Sequence, residues 1–152
     1  MYSSAVMAFL HHLAAFTTVT ALGVEVAMFK PPLSAAQARR LQRVDNIYGI
    51  AAAAVLIIGG LRVAYFEKPT VYYLHDIFFV MKLGAFLVAV LISIYPTVIF
   101  LRWNPGLRAG AAPQVSEAHT RRIRLCLMLE LTLIVVILAC AALMARGFGY
   151  LT

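Results

Sequence analysis

The sequence predicts an all-α integral membrane protein, a four-helix bundle that forms a single domain over residues 1–152. Two observations support this fold class. Hydrophobic residues make up 63% of the chain and charged residues only 12%, whereas about 25% of the residues in a soluble domain are charged. In addition, four apolar segments each reach the roughly 20 residues that a helix needs to cross the hydrocarbon core. We therefore expect the lipid bilayer to be the solvent and main partner of this chain.

The segment ends predict helices at about 4–29, 35–66, 72–101 and 116–146. The first helix ends before Pro31 and Pro32, because proline lacks the amide hydrogen that a helix interior requires. Ser34 and Gln37 have the spacing of a capping box, which predicts that the second helix begins directly after Ser34.

The third and fourth segments are separated by a loop rich in proline and glycine. Pro96 lies inside the third segment, and we expect it to kink that helix. Ser116 is suited to cap the start of the fourth helix, where Glu117 also interacts favourably with the helix dipole.

The distribution of Lys and Arg predicts the orientation of the bundle. The loops after the first and third segments contain nine of these residues: Lys30, Arg39, Arg40, Arg43, Arg102, Arg108, Arg121, Arg122 and Arg124. The opposite side contains three, namely Arg62, Lys68 and Arg146. Because cytoplasmic loops are enriched in Lys and Arg, we expect a multi-pass protein of the bacterial inner (cytoplasmic) membrane with both termini on the outer, periplasmic side. Topology thus accounts for the net charge of +7, and we expect no nucleic-acid binding.

Several ionisable side chains lie at membrane depth, where such groups are costly and usually functional. They are His11, His12, Glu25, Arg62, His75, Lys82 and Glu130. A bundle with a purely structural role does not require them.

His11 shares one face of the first helix with Thr18 and Glu25, because the three residues recur at intervals of seven. The opposite face is apolar and is expected to contact lipid. His11 is therefore expected to point into the bundle, whereas His12 lies at the edge of the lipid-facing side and could still turn inward. The alternative interpretation is that either histidine only forms a hydrogen bond to a neighbouring helix.

The second helix has one face formed by Asp45, Tyr48, Ala52, Val55, Gly59 and Arg62. Two interpretations of this face are open. The small residues favour close helix packing, or they leave a slot for a flat ligand whose carboxylates would meet Arg62.

The third helix presents His75 and Lys82 on one face, and both are expected near the outer leaflet. His11, His12 and Arg62 are expected at a similar depth. Neutral imidazoles inside an apolar bundle are typical haem ligands. The sequence therefore predicts haem, one group or more, with His11, His12 and His75 as candidate metal ligands. Further candidates for binding the cofactor are Arg62, Tyr48 and Lys82, and Lys82 could bind iron, a propionate or a protein carboxylate.

Two other chemical interpretations use the same residues. Imidazole also binds copper or iron without a porphyrin. Glu25 and Glu130, deeper in the inner half, could instead form a proton or ion path.

Three stretches carry a resemblance to known families: FLHHLAAFTTVTALGVEVAMF, VDNIYGIAAAAVLIIGGLRVAYFEK and YYLHDIFFVMKLGAFLVAVLISIYPTVIFLRW. Over most of its length the chain resembles an uncharacterised bacterial family of small four-helix membrane proteins. It is also distantly similar to HemJ-type protoporphyrinogen oxidases and to copper-resistance D-type membrane domains. This resemblance implies b-type haem, with the family histidine at His11 or His12 and the family lysine at Lys82.

Four functions are compatible with these observations. The first is a b-type haem protein that transfers electrons between a membrane carrier such as a quinone and an acceptor near the periplasmic leaflet, which would make it a haem-dependent oxidoreductase. The second is a HemJ-like tetrapyrrole oxidase. The third is a metal-handling or transport protein, and the fourth is a membrane subunit without a cofactor. A homo-oligomer is compatible with each of them.

Overall fold

The computed structural model describes residues 2–66 and 70–149, and it is helical throughout apart from short connections. Four helices are long and apolar enough to cross a membrane, which confirms the predicted fold class. The elements are α1 (Tyr2–Met28), α2 (Ala35–Leu61), a π-helical turn (Arg62–Phe66), α3 (Thr70–Leu74), α4 (Ile77–Arg102), α5 (Asn104–Arg108) and α6 (Glu117–Ala145).

The bundle consists of two helix pairs. α1 packs along α2, and α4 packs along α6, while fewer contacts join α1 to α6 and α2 to α4. We call the boundary between the two pairs the seam. The short connection between α1 and α2 makes these helices antiparallel neighbours.

The predicted helix caps are present at two of the long helices. The Ser34 amide donates to the Gln37 side chain over 2.8 Å, and the Gln37 amide donates to the Ser34 hydroxyl over 3.2 Å. The Ser116 hydroxyl accepts a hydrogen bond from the amide of His119 at 3.3 Å. These side chains satisfy amides that have no partner within the helix.

The third segment differs from the single helix that we expected over 72–101. Asp76 adopts an extended backbone conformation between α3 and α4, and its side chain accepts hydrogen bonds from the amides of Phe78 and Phe79. An aspartate in this position satisfies the first amides of a helix, so α4 begins only at Ile77. His75 therefore precedes the membrane-spanning helix. The amide of Ile77 donates to the carbonyl oxygen of Gly149 at 3.0 Å, which brings the end of the described chain to this corner.

The apolar core is concentrated at one end of the bundle. We call residues 16–50 and 91–131 the loop half, because they adjoin the connections at 29–34 and 109–116. The remaining described residues form the terminal half, which adjoins both chain ends. Fully buried side chains of the loop half include Leu22, Leu41, Phe100, Ile123 and Leu127.

The terminal half is packed more sparsely. Its buried residues are Ala51, Ala52, Tyr73, Asp76, Ala89, Ile134 and Cys140.

Large apolar side chains along the whole of α1 face outward, as expected for contact with acyl chains: Phe9, Leu13, Phe16 and Val24.

Candidate functional site

His11 is partly buried between α1 and α2. Its imidazole lies directly against Gly59, where a Cβ atom would come within 3.0 Å of Cε1 and 3.4 Å of Nδ1. The space beside Gly59 that the sequence suggested for a flat ligand is therefore occupied by this imidazole. Nδ1 of His11 is buried and has no well-formed hydrogen bond to any described residue, although the Val55 backbone lies close to the ring.

His12 lies on the exposed side of α1. Its Nδ1 is 2.7 Å from the carbonyl oxygen of Ala8, one helical turn away. The ring centroids of His11 and His12 are 6.3 Å apart. The structure thus places His11 in the bundle and His12 at its surface.

His75 is also exposed, and its Nδ1 is 2.9 Å from the carbonyl oxygen of Val71. It belongs to the short segment ahead of α4. The structure does not bring this imidazole into the bundle.

Lys82 extends from α4 into the terminal half and is partly buried. Its Nζ atom is 3.6 Å from the sulfur of Met144 and 5.1 Å from the ring centroid of Phe79. The latter distance is within the range of a cation–π interaction. Lys82 is also close enough to Asp76 and Arg62 to interact with both electrostatically.

His11, Arg62 and Lys82 form what we call the terminal cluster. Arg62 and Lys82 both act electrostatically on His11, so side chains from α1, the π-helical turn and α4 converge at the terminal end of the seam. Lys68, which the sequence assigns to the same side of the membrane as Arg62, lies outside the described residues. Across residues 2–66 and 70–149, His, Cys, Asp and Glu side chains do not form a group of three suited to a metal ion.

Tyr48 does not belong to the terminal cluster. It is buried in α2, 14 residues before Arg62, which corresponds to roughly 20 Å along the helix. Its hydroxyl is directed at the Glu130 carboxyl group of α6 without reaching the geometry of a full hydrogen bond.

A second ionisable group surrounds Tyr48. We call Glu25, Asp45 and Glu130 the carboxyl cluster; their exposed fractions are 1%, 4% and 1%. Asp45 accepts a hydrogen bond of 2.7 Å from the hydroxyl of Thr97 across the seam. The sequence predicts Glu25 and Glu130 as ionisable groups at membrane depth, whereas it indicates for Asp45 only a place on one face of α2. The spacing of three residues between Asp45 and Tyr48, which places both on one helix face, could have indicated that Asp45 belongs to the same cluster.

Two surface grooves lie away from the terminal cluster. One has a volume of about 360 Å³ and is lined by α1 and α2 residues from Phe16 to Ile47. The other, of about 250 Å³, lies near Phe29 and Arg124. A ligand of the terminal cluster would therefore have to bind along the seam or at its lipid-facing edge, and neither groove would contain it.

This architecture defines a multi-span helical membrane protein with ionisable side chains enclosed between two helix pairs. The chain belongs to the family described as "Predicted membrane protein (DUF2214)", whose model matches residues 3–149. No curated protein and no solved structure matches the chain. The resemblance to an uncharacterised membrane family is thus confirmed, whereas the distant similarity to HemJ-type oxidases and copper-resistance domains stays a prediction.

Proposed function

We propose that the protein binds one haem b in the terminal half of the bundle, with His11 as an axial ligand, and that it takes part in electron transfer. The observation that carries this proposal is the inward-facing imidazole of His11, which lies between helices and beside two cations. Imidazole from a helical bundle is a common axial ligand of haem iron.

The residues of the terminal cluster are of the chemical types that bind haem. Nδ1 of His11 is buried and lies 3.4 Å from the position of a Cβ atom built on Gly59, whereas Nε2 is the ring nitrogen farther from that position, at 4.0 Å. Nε2 is therefore the nitrogen we assign to iron. The sparse packing of the terminal half supports the proposal, because a flat ligand there would displace few buried side chains.

Arg62 and Lys82 would bind the propionates. Guanidinium and ammonium groups form strong, charge-assisted hydrogen bonds to carboxylates. This assignment gives Lys82 a function that its apolar neighbours, Met144 and Phe79, do not explain.

A second ligand of the iron would come from another element. Adjacent residues of a helix point about 100° apart, so His12 could replace His11 but not complement it. His75 is on a separate element, and its Nδ1 faces a carbonyl oxygen. In the neutral tautomer whose Nδ1 donates to this carbonyl oxygen, Nε2 would keep its lone pair for iron, and the exposed side chain would have to turn toward the bundle to bind it.

When bound, haem b would supply one-electron redox chemistry. The protein would supply the ligand, the counter-charges and an apolar environment that excludes water. The excess of Lys and Arg near the loop half supports placing that half at the cytoplasmic side. The terminal cluster would then lie near the periplasmic leaflet of the inner membrane, where a quinone or another membrane carrier can approach.

The test is a reduced-minus-oxidised visible spectrum of protein purified from haem-replete cells. We expect a Soret band that shifts on reduction by dithionite, and loss of most bound haem in His11→Ala. His12→Ala is the matched control, because it removes an adjacent imidazole on the exposed side of the same helix. Absence of a Soret band from the wild-type protein, or equal haem content in the two variants, would overturn the proposal.

A further inference from the structure

We propose that the carboxyl cluster of the loop half is a proton-binding site that exchanges protons with the solution at the loop end of the bundle. The site is built from all four long helices: α1 supplies Glu25, α2 supplies Asp45, α4 supplies Thr97 and α6 supplies Glu130. The inference does not depend on haem binding, because it concerns the opposite half of the molecule.

Unpartnered oxygen atoms within the cluster mark it as a site that can bind a ligand. Glu25 and Glu130 are each 1% exposed. One carboxyl oxygen of Glu25 and both of Glu130 are buried without a well-formed hydrogen bond to any part of the chain that the structure describes. Buried polar groups in folded proteins nearly always have partners, so these exceptions require an explanation.

The electrostatic surroundings favour a proton as that ligand. Glu25 is acted on by Asp45 and Glu130, and Glu130 by Asp45, while the Cys126 thiol lies at the edge of the cluster. Within the described residues, no Lys or Arg is among the groups that act on these carboxyls. Several unpaired carboxylates in an apolar interior are very costly, and proton binding removes that cost.

The positions of the carboxyl groups do not favour a metal ion. Among the described side chains, the three carboxyl groups do not form a set that could coordinate one. A proton needs only a single oxygen atom, whereas hard cations such as Ca²⁺ require about six or more oxygen ligands.

Polar side chains also lie between the cluster and the loop end, where they could pass a proton. Gln42 lies one turn before Asp45 on α2, and its amide donates to the side chain of Asn104 over 3.1 Å and to the carbonyl oxygen of Phe100. Asp45 bonds to Thr97, and the Tyr48 hydroxyl faces Glu130. A proton taken up from the loop end would convert a Glu130 carboxylate to the acid, and its release along the same groups would restore the carboxylate.

Infrared difference spectroscopy of the full chain in lipid nanodiscs tests this site. We expect the carbonyl stretching band of a protonated carboxylic acid at neutral pH, with a shift in D₂O. Glu130→Gln and Glu25→Gln should each reduce this band, while Glu117→Gln should leave it unchanged because Glu117 is exposed at the start of α6. Glutamine keeps the volume of glutamate without its charge, which favours folding of the variants.

Two further measurements cover the remaining outcomes. Labelling the glutamate carboxyl groups with ¹³C should shift the band in the wild-type protein, so the assignment does not depend on any variant. Gln42→Leu should slow hydrogen–deuterium exchange of the band at unchanged amplitude, whereas Gln114→Leu in the exposed loop should not. Absence of the band, its insensitivity to the ¹³C label, or equal amplitudes in all Glu→Gln variants would overturn the site. An unchanged rate of hydrogen–deuterium exchange in Gln42→Leu would overturn the proposed proton route through Gln42.

Discussion

In the loop half, three carboxyl groups lie among fully buried apolar side chains, whereas in the terminal half an imidazole and two cations lie between helices whose buried residues are mostly small. Phe100 and Leu22 are completely buried near the carboxyl cluster, while Ala51, Ala52 and Ala89 are typical of the other half. The dense packing around the carboxyl cluster suits a ligand as small as a proton. Sparse packing around basic groups is suited to a larger, anionic ligand, so packing density and charge together assign different ligands to the two halves.

The largest expected effect comes from weakening the dense half. Phe100→Ala should lower the free energy of unfolding by about 2 kcal/mol or more; Phe→Ala in soluble cores costs about 3–5 kcal/mol, and lipid reduces the transfer part of that cost. Phe16→Ala is the control, because Phe16 is 71% exposed to the lipid-facing side, and a change within about 0.5 kcal/mol is expected. Unfolding in mixed detergent and denaturant measures both. Because both residues belong to the loop half, equal losses in the two variants would mean that the burial of Phe100 does not stabilise this half.

The second prediction concerns pH and depends on the proton-binding site. If the folded state holds more protons than the unfolded state, stability must fall as pH rises, by about 1.4 kcal/mol per pH unit for each extra proton. Glu130→Gln removes one such group, so its stability should decline less steeply than that of the wild-type protein. Thermal unfolding from about pH 5 upwards, starting just above the ordinary glutamate pKa of about 4.3, measures the slopes, and identical slopes over this range would contradict the prediction.

The third prediction tests the role of Asp76, which separates α3 from α4. Asp76→Ala removes the side chain that accepts hydrogen bonds from the amides of Phe78 and Phe79. The free energy of unfolding should fall by about 1 kcal/mol, as it usually does when an N-cap is lost. Asp76→Asn keeps an acceptor and should cost less. Hydrogen exchange of the two amides should accelerate in the alanine variant. Unchanged protection there would mean that other contacts fix the start of α4.

The smallest stability effect is expected at two neighbouring glycines of α2. Gly59→Ala would place a Cβ atom 3.0 Å from the His11 ring and displace the imidazole, so the cost of crowding should offset or exceed the helix-propensity gain of about 1 kcal/mol. At Gly60 an added Cβ meets nothing within 4 Å, so Gly60→Ala should be neutral or stabilising. The two melting temperatures measure this difference, and haem content should fall only in Gly59→Ala. If the variants behave alike, His11 does not depend on Gly59 for its position.

Much of the fold could be predicted because each signal is local. The capping box at Ser34 and Gln37 requires residues three apart, and the interior face of α1 follows from the spacing of His11, Thr18 and Glu25. The break at Asp76 could not be recognised in the same way. The apolar composition continues across Asp76, and only the backbone conformation shows that its carboxylate caps a new helix.

Contacts across the seam could not be predicted either. Periodicity assigns a residue to a face but does not determine how two helices cross or which depths coincide. Tyr48 and Arg62 share one face of α2, so both were expected to bind a cofactor, yet the structure places Tyr48 beside Glu130. The bond between Asp45 and Thr97 likewise depends on the packing of α2 against α4.

The bond from Ile77 to the Gly149 carbonyl has a practical consequence for labelling this protein. Gly149 has a φ of +97°, and an added Cβ there would clash with the Phe78 ring. A fluorophore or affinity tag joined immediately after this glycine would thus be anchored against the first turn of α4 and could disturb it. A reporter of membrane sidedness is better attached through a flexible spacer, or at the opposite chain end beside Tyr2, which is 89% exposed.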